Sequence, residues 1–500
     1  MPANKFFLLV RAVTALALFV GFYIFSLLIV ALLLYLPYLS IVQGRGRSGI
    51  IVIFGIIGAG VILWSIFPRI DKYDPPGPAI NLQKNPKLAA MIRSVARKLK
   101  EPIPKEIYFT GECNAFVAER GGLMGFGSRR VMGIGLPLMQ LLSVNELNAI
   151  LAHEFGHFSN RDTVLGSWVY TTHDLIFRTL DNLEQASSLL QYPFIFYAKL
   201  FLRVSHGISR HQEFVADKCA VEVFGREVVS SALKKIHAAT GAFEAYWDSD
   251  VTPVLVKGYL PKVTEGFSMF ISSKNFDKDY RVNLRASLRE ERISPYDTHP
   301  TLSERLLAIN EISDSSATVE EVERETAISL VSDIQEIERK LFVLVQGEEF
   351  VSGLKEIAWN KIPEIVSYPY WESFVKENAK FLNQFKWRNV PEFGTKVTEI
   401  ASNIKLEEPV SDFPDLELWK VTSLIGSALC VWLYNSGWSL NFLPGSNIKL
   451  EKESMEIEPF ELVADLIKGE ISAEQWQEKC IEIGIFDQQL CDPVKDSEKE

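Results

Sequence analysis

Two histidines four residues apart bracket a glutamate in His153-Glu154-Phe155-Gly156-His157. On an α-helix that spacing puts both imidazoles on one face, one turn apart, so both can reach a single metal ion at about 2.0–2.1 Å. Glu154 stands one residue from the first of them, near enough to take a proton from a water polarised by the ion without ligating it. The chemistry this pattern serves is zinc-assisted hydrolysis of a peptide carbonyl. The competing reading is a helix with two solvent-facing histidines. The apolar flanks of AILAHEFGHF disfavour it, because buried imidazoles without partners are costly.

A catalytic zinc takes three protein ligands and keeps one position open. Glu213, in the run SRHQEFVAD from Ser209 to Asp217, is the leading candidate for the third. Glu213 and Asp217 are one helical turn apart and can face the same site. Asp217 suits the hydrogen bond that holds a ligand histidine in the right tautomer. Standing alone, ExxxD on a helix is ordinary surface charge; the HExxH elsewhere in the chain gives it weight. His206 and His211 compete for the third position, although His211, two residues from Glu213, points elsewhere on a helix. His173 and His237 read as bystanders.

These side chains need elements to carry them. Ser143-Val-Asn-Glu146 is a capping box, which opens a helix through Leu147, Ile150 and Leu151 and so places the HExxH well inside it. Upstream, Asn85-Pro86 predicts a helix start, a cap followed by proline at the first helical position, and Leu88, Ile92, Val95 and Leu99 share one face. Ile107–Phe109 and Val131–Ile134 read as short strands, and Ala115–Ala118 as an extended piece. From Thr163 to His206 the chain is helical in character and rich in aromatics. Lys199 and Arg203 interrupt it, which favours buried or membrane-apposed helices, with a second transmembrane pair as the alternative.

No charge occurs from Ala12 to Gly44, and Ala12 to Leu36 is almost continuously apolar. About 25 residues at about 1.5 Å each give roughly 37 Å of helix, enough to cross a bilayer. A cleaved signal would be shorter and end in a small-residue site. A second uncharged run spans Ser48 to Pro68, where Gly55, Gly58 and Gly60 would permit close helix packing. Together they predict a transmembrane hairpin over residues 1–70, with spans at about 12–36 and 50–67. Lys5, Arg11, Arg69 and Lys72 outnumber Arg45 and Arg47 in the link, which puts the bulk of the chain in the cytoplasm. DPPGP at Asp74–Pro78 is a stiff linker.

The rest of the composition mainly excludes. Lys and Arg number 52 against 63 Asp and Glu, a net of −11 without a basic block, so no nucleic-acid partner is expected. Five scattered cysteines without a CxxC offer neither a disulfide framework nor a thiolate zinc site. Beyond about residue 310 the chain turns into charged helical stretches such as Val319–Leu344, a second capping box at Ser472–Gln475, and an apolar run, Leu418–Trp438, which Lys420 marks as a buried helix. Residues 311–500 read as a helical accessory domain without legible chemistry.

Four pieces in order, Asn114-Ala115-Phe116, HEFGH, SRHQEFVAD and THPTLSER from Thr298 to Arg305, resemble the integral-membrane zinc endopeptidases that include the HtpX heat-shock proteases and the CAAX prenyl endopeptidases. The resemblance covers about Asn85 to Ile309. It implies a mainly α (α+β) fold with a zincin-like metallopeptidase domain, with a small edge sheet, over 79–310. It implies one Zn2+ held by His153, His157 and Glu213, with Glu154 as the general base and Asp217 behind the ligands. Asn114, Ala115 and Phe116 would pair with an extended substrate, His299 would steady the oxyanion, and Arg305 would brace that corner of the cleft. Read from its residues alone, His299 is a turn residue before Pro300. Thr301 departs from the family, which often has a second proline there, and clear membrane spans between HExxH and Glu213 are missing.

The expected protein is thus an integral membrane zinc endopeptidase of a bacterial inner membrane, with its catalytic domain in the cytoplasm. Its partners are lipid and unfolded or membrane-associated polypeptides. The alternatives are a processing protease with one dedicated, lipidated substrate, and a chaperone or scaffold that has lost catalysis.

Overall fold

The computed structural model describes residues 5–42, 49–71, 73–123, 127–159, 163–186, 188–289, 300–312, 325–406 and 415–491. They are mainly helical with a few short strands, the class that the residue patterns imply. The chain divides into two compact units, Met1–Phe243 with Asp279–Val345 and Glu244–Lys278 with Gln346–Glu500. The site-bearing unit contains α1 (Lys5–Val42), α2 (Gly49–Ile66), α3 (Pro86–Leu99), α4 (Leu136–Leu141), α5 (Val144–Ser159), α6 (Thr163–Ala186), α7 (Ser188–Phe224), α8 (Arg226–Ala238) and α9 (Leu302–Glu311). Its strands are β1 (Ile70–Asp71), β2 (Glu106–Thr110), β3 (Ala115–Arg120), β4 (Gly122–Leu123) and β5 (Arg129–Gly135).

Helices α1 and α2 carry apolar residues all round rather than on one stripe, as expected for helices in apolar surroundings. Leu16–Leu39 is long and apolar enough to cross a membrane; Val52–Ile66 is a shorter apolar helix. Their link around Arg45 and Arg47 lies outside the described residues, as does Lys72. Both helices pack with α6 and the first half of α7 around Phe22, Ile62, Leu183, Phe194 and Phe201. The Tyr197 hydroxyl on α7 donates to the Leu18 carbonyl on α1 at 2.5 Å. Of the three glycines expected to allow close packing, two do. A Cβ on Gly55 would stand 2.3 Å from the Leu33 carbonyl and one on Gly58 2.7 Å from Leu190, whereas Gly60 faces open space. Among the described residues, neither α6 nor α7 is one of the helices long and apolar enough to span.

Three strands form the sheet beside the site, in the order β2-β5-β3, with β2 parallel and β3 antiparallel to β5. The linker covers the β2 side: the Phe109 amide donates to the Pro78 carbonyl and the Ile80 amide to Ile107. That leaves β3 as the edge with no further strand beside it among the described residues. Its continuation β4 pairs antiparallel with β1, directly after α2.

Helix α3 begins at Pro86 as the sequence predicts, but Asn85 does not cap it through its side chain. Its carboxamide oxygen instead accepts from the Ser332 amide at 2.7 Å, and its Nδ2 donates to the Asn81 carbonyl. A distant loop outcompetes the local cap. Leu88, Ile92 and Val95 are buried on the face expected. Of Val319–Leu344, residues 319–324 lie outside the described set; Ala327–Leu330 is a 3-10 turn and Ile334–Gln346 a helix.

The other unit has its own core. The helix Leu416–Asn435 is long and apolar enough to span, yet half of its apolar window is buried, with Val421, Leu424, Ile425 and Leu429 packed among Trp387, Val463 and Trp476. The Trp476 indole donates to the Trp387 carbonyl at 2.8 Å. The Ser472–Gln475 capping box forms as read from the sequence. All five cysteines are free thiols, with Cys430, Cys480 and Cys491 buried in this unit.

Candidate metal centre

Helix α5 is fixed at its start by the capping box. The Ser143 amide donates to Glu146 at 2.8 Å and the Glu146 amide to the Ser143 hydroxyl at 3.3 Å. The Glu146 carboxylate also accepts from Ser231 and Lys235 on α8, at 2.6 and 2.7 Å. One buried carboxylate thus ties the cap to a neighbouring helix. Leu147, Leu151, Ala152 and Phe155 bury the face of α5 turned to the core. His153 and His157 then come together with ring centroids 4.9 Å apart and planes at 85°.

Helix α7 brings Glu213 to both rings. Its Oε2 lies 3.5 Å from His153 Nε2 and its Oε1 3.8 Å from His157 Nε2. Ligands about 2.1 Å from a tetrahedral zinc are separated by about 3.4 Å, so these donors fit that ion. Glu154 also stands close, its carboxylate within 4.8 Å of both histidines' donor atoms. Two carboxylates therefore compete for the third position. The Val117 amide of β3 donates to Glu154, drawing it toward the sheet edge, whereas Glu213 faces both Nε2 atoms.

Behind His153, Asp217 Oδ1 lies 3.0 Å from Nδ1. An Nδ1 proton donated to that carboxylate leaves Nε2 free for a metal. Asp217 is held in turn by Arg305, through Nε at 2.9 Å and Nη2 at 2.6 Å. Arg305 Nη1 stands 3.5 Å from Glu213 Oε2, so one guanidinium serves both acids. Asp217 and Arg305 are both buried.

The electrostatics separate these groups. Burial pulls the His153 imidazole down, but Asp217 and Glu213 outweigh it and hold its pKa up at about 9. Burial and the charge on His153 press His157 down to about 4. Burial, opposed by His153 and helped by Glu213, lifts Glu154 to about 7. Asp217 is lowered, because the hydrogen bonds from Arg305 and His153 overcome the cost of its burial. A carboxylate near 7 can both take and return a proton at neutral pH.

Asn114, Ala115 and Phe116, expected to pair with substrate, lie at the edge strand whose Val117 amide meets Glu154. Ala115 opposes Ile134 and Phe116 opposes Gly133 across the β3–β5 ladder. The Phe116 ring lies over Gly133, where a Cβ would stand 2.3 Å from it. Asn114 just precedes the strand, its carbonyl accepting from the Gly135 amide at 2.9 Å and its side-chain oxygen from Ala115 at 2.8 Å. His299 lies outside the described residues.

Residues 82–313 match the model of peptidase family M48. The chain is 24% identical over 271 residues to a protease HtpX homolog of Archaeoglobus fulgidus, covering 51% of this chain and 77% of the relative. It is 25% identical over 276 residues to a protease HtpX homolog of Pyrobaculum aerophilum, covering 51% and 76%. With protease HtpX of Erwinia tasmaniensis the identity is 24% over 271 residues, covering 47% and 87%. No solved structure matches the chain.

Within residues 82–313, two features were not read from the sequence. Gly156 is where α5 meets α7: a Cβ there would stand 2.9 Å from the Ala216 Cα. Thr301 caps α9. The Glu304 amide donates to its hydroxyl at 3.3 Å, and its own amide donates to Glu304 at 3.0 Å. The S/T-x-x-E signature was present in Thr301–Glu304 and would have revealed it.

Proposed function

We propose that this protein is a membrane-anchored zinc endopeptidase that cleaves unfolded or membrane-associated polypeptides, in the manner of a quality-control protease. The observation that carries the reading is Glu213 facing both Nε2 atoms while Asp217 and Arg305 lock the His153 tautomer from behind. His153, His157 and Glu213 would hold the zinc. Bound there, the ion supplies Lewis acidity to the scissile carbonyl and to the attacking water.

The chain's own residues supply the rest. An extended substrate adds to the β3 edge through main-chain hydrogen bonds at Asn114–Phe116. Glu154, beside that edge and near neutrality, takes the proton of the attacking water and returns it to the leaving amine. His299 would donate to the developing oxyanion. The apolar α1–α2 pair would anchor the catalytic unit at the bilayer, where Leu28, Tyr38, Ile41, Trp64 and Phe67 expose large apolar side chains.

The test is Glu154→Gln in the full chain. It should abolish cleavage of loosely folded casein and of a membrane-embedded substrate while zinc remains bound. Full activity in that variant would sink the mechanism. Cleavage of one defined lipidated peptide and not of casein would favour a dedicated processing protease instead. Chelator-insensitive holdase activity without proteolysis would favour a chaperone.

A further inference from the structure

Helix α9 reaches α7 through two adjacent side chains. Arg305 bonds Asp217 and faces Glu213, and Glu304 pairs with Arg210. The α7 positions 210, 213 and 217 fall within one narrow face of a helix, at spacings of three and four residues. The two ties are not alike. Arg305 and Asp217 are buried, whereas Arg210 and Glu304 are only partly covered. The Glu304 carboxylate has a second duty, since its Oε2 accepts from the Thr301 amide and hydroxyl in the capping box while Oε1 takes Arg210.

We propose that the Arg210–Glu304 pair is a positioning element of the metal centre. It fixes the roll of α9 on α7, so that the Arg305 guanidinium can meet Asp217 with Nε and Nη2 and Glu213 with Nη1 at once. A planar fork has one orientation that satisfies both carboxylates. Buried Leu302 and Ile309 and the Arg226 bond to the Ile312 carbonyl also hold α9, and the pair adds the polar tie next to Arg305 that sets the roll of its guanidinium. Removing the pair therefore acts on the ligands through Arg305, without either residue touching the metal or the substrate. The proposal rests on His153, His157 and Glu213 being the ligand set.

The variants separate the two duties of Glu304. Glu304→Gln keeps a side chain able to complete the capping box but removes the charge that meets Arg210. Thr301→Ala removes the cap and keeps the pair. Arg210→Gln removes the other partner, and Arg210→Lys restores its charge. The measurements, on the purified full chain, are zinc affinity by competition with a chelator, the visible spectrum of the cobalt-substituted protein, and kcat and KM on a defined peptide.

Glu304→Gln and Arg210→Gln should each weaken zinc binding and lower kcat about tenfold, and the double variant should lose no more than either alone. The cobalt spectrum should shift in all three, KM should stay near wild type, and Arg210→Lys should recover most of the loss. Thr301→Ala should lower Tm and leave the cobalt spectrum unchanged. Additive losses, an unshifted spectrum, or zinc affinity that merely tracks Tm across the set would overturn the proposal. If wild type binds cobalt at this site yet cleaves nothing, the endopeptidase reading fails while the spectra still decide this one.

Discussion

Gly156 on α5 and Ala216 on α7 approach so closely that a Cβ on Gly156 would lie 2.9 Å from the Ala216 Cα and 3.2 Å from its carbonyl oxygen. The contact falls between the two histidines of one helix and between the two carboxylates of the other. It sets how far Glu213 stands from the imidazoles.

Gly156→Ala should therefore push α7 away from α5, since a backbone atom cannot turn aside. Overpacking of this kind costs about 1–3 kcal/mol. Misplacing a ligand by about 1 Å can cost about 10²-fold in rate. Tm and kcat of the purified variant check this; wild-type values in both would show that the two helices part freely.

Asp217→Ala should be more damaging to stability than to any surface pair of similar chemistry. It takes from buried Arg305 its closest counter-charge and leaves Glu213 at 3.5 Å, and breaking a buried pair of this kind costs about 3–5 kcal/mol. Removing both charges, as Asp217→Leu with Arg305→Met, should be less destabilising than Asp217→Ala alone. Thermal unfolding of the two variants distinguishes them, and equal stability would mean that water reaches the pair.

Metal-free protein should hold a nearly level stability from about pH 4.5 to 6.5 and lose it as pH rises further, because Glu154, raised to about 7, opposes His157, lowered to about 4. His153 is raised to about 9, so the stability it contributes is complete below its unfolded value and is lost as pH climbs through about 9. His157 is depressed to about 4, so its contribution falls as pH drops from about 6.5 towards 4, while Glu154, raised to about 7, contributes stability that grows as pH drops from about 7 to about 4.5 and offsets that loss. Zinc requires neutral imidazoles, so loading it should move the optimum upward. Tm against pH, with and without chelator, tests this; a metal-free profile that stays level from about pH 6.5 to 9 would contradict the arrangement of charges.

Much of the centre was legible because helix geometry converts sequence spacing directly into position. His153 with His157, and Glu213 with Asp217, each stand one turn apart, so their faces follow from the period of the helix. The Ser143 cap was legible for the same local reason. What joins the pairs was not. Arg305 meets Asp217 across 88 residues and His153 across 152, distances over which no periodicity speaks, and only resemblance pointed to it. Asn85 stands at the cap position read from the sequence, but its side chain does not cap, because Ser332, 247 residues away, takes its oxygen. Gly156 gave no sign of its role, since a glycine inside a helix looks alike whether it faces solvent or a crossing backbone.

Zinc content of the purified full chain tests the central claim most directly, measured for wild type beside Glu213→Gln and Glu154→Gln. One zinc per chain in wild type and in Glu154→Gln, with most of it lost from Glu213→Gln, is the predicted result. A Glu213→Gln protein that keeps one zinc at wild-type affinity would contradict the ligand set.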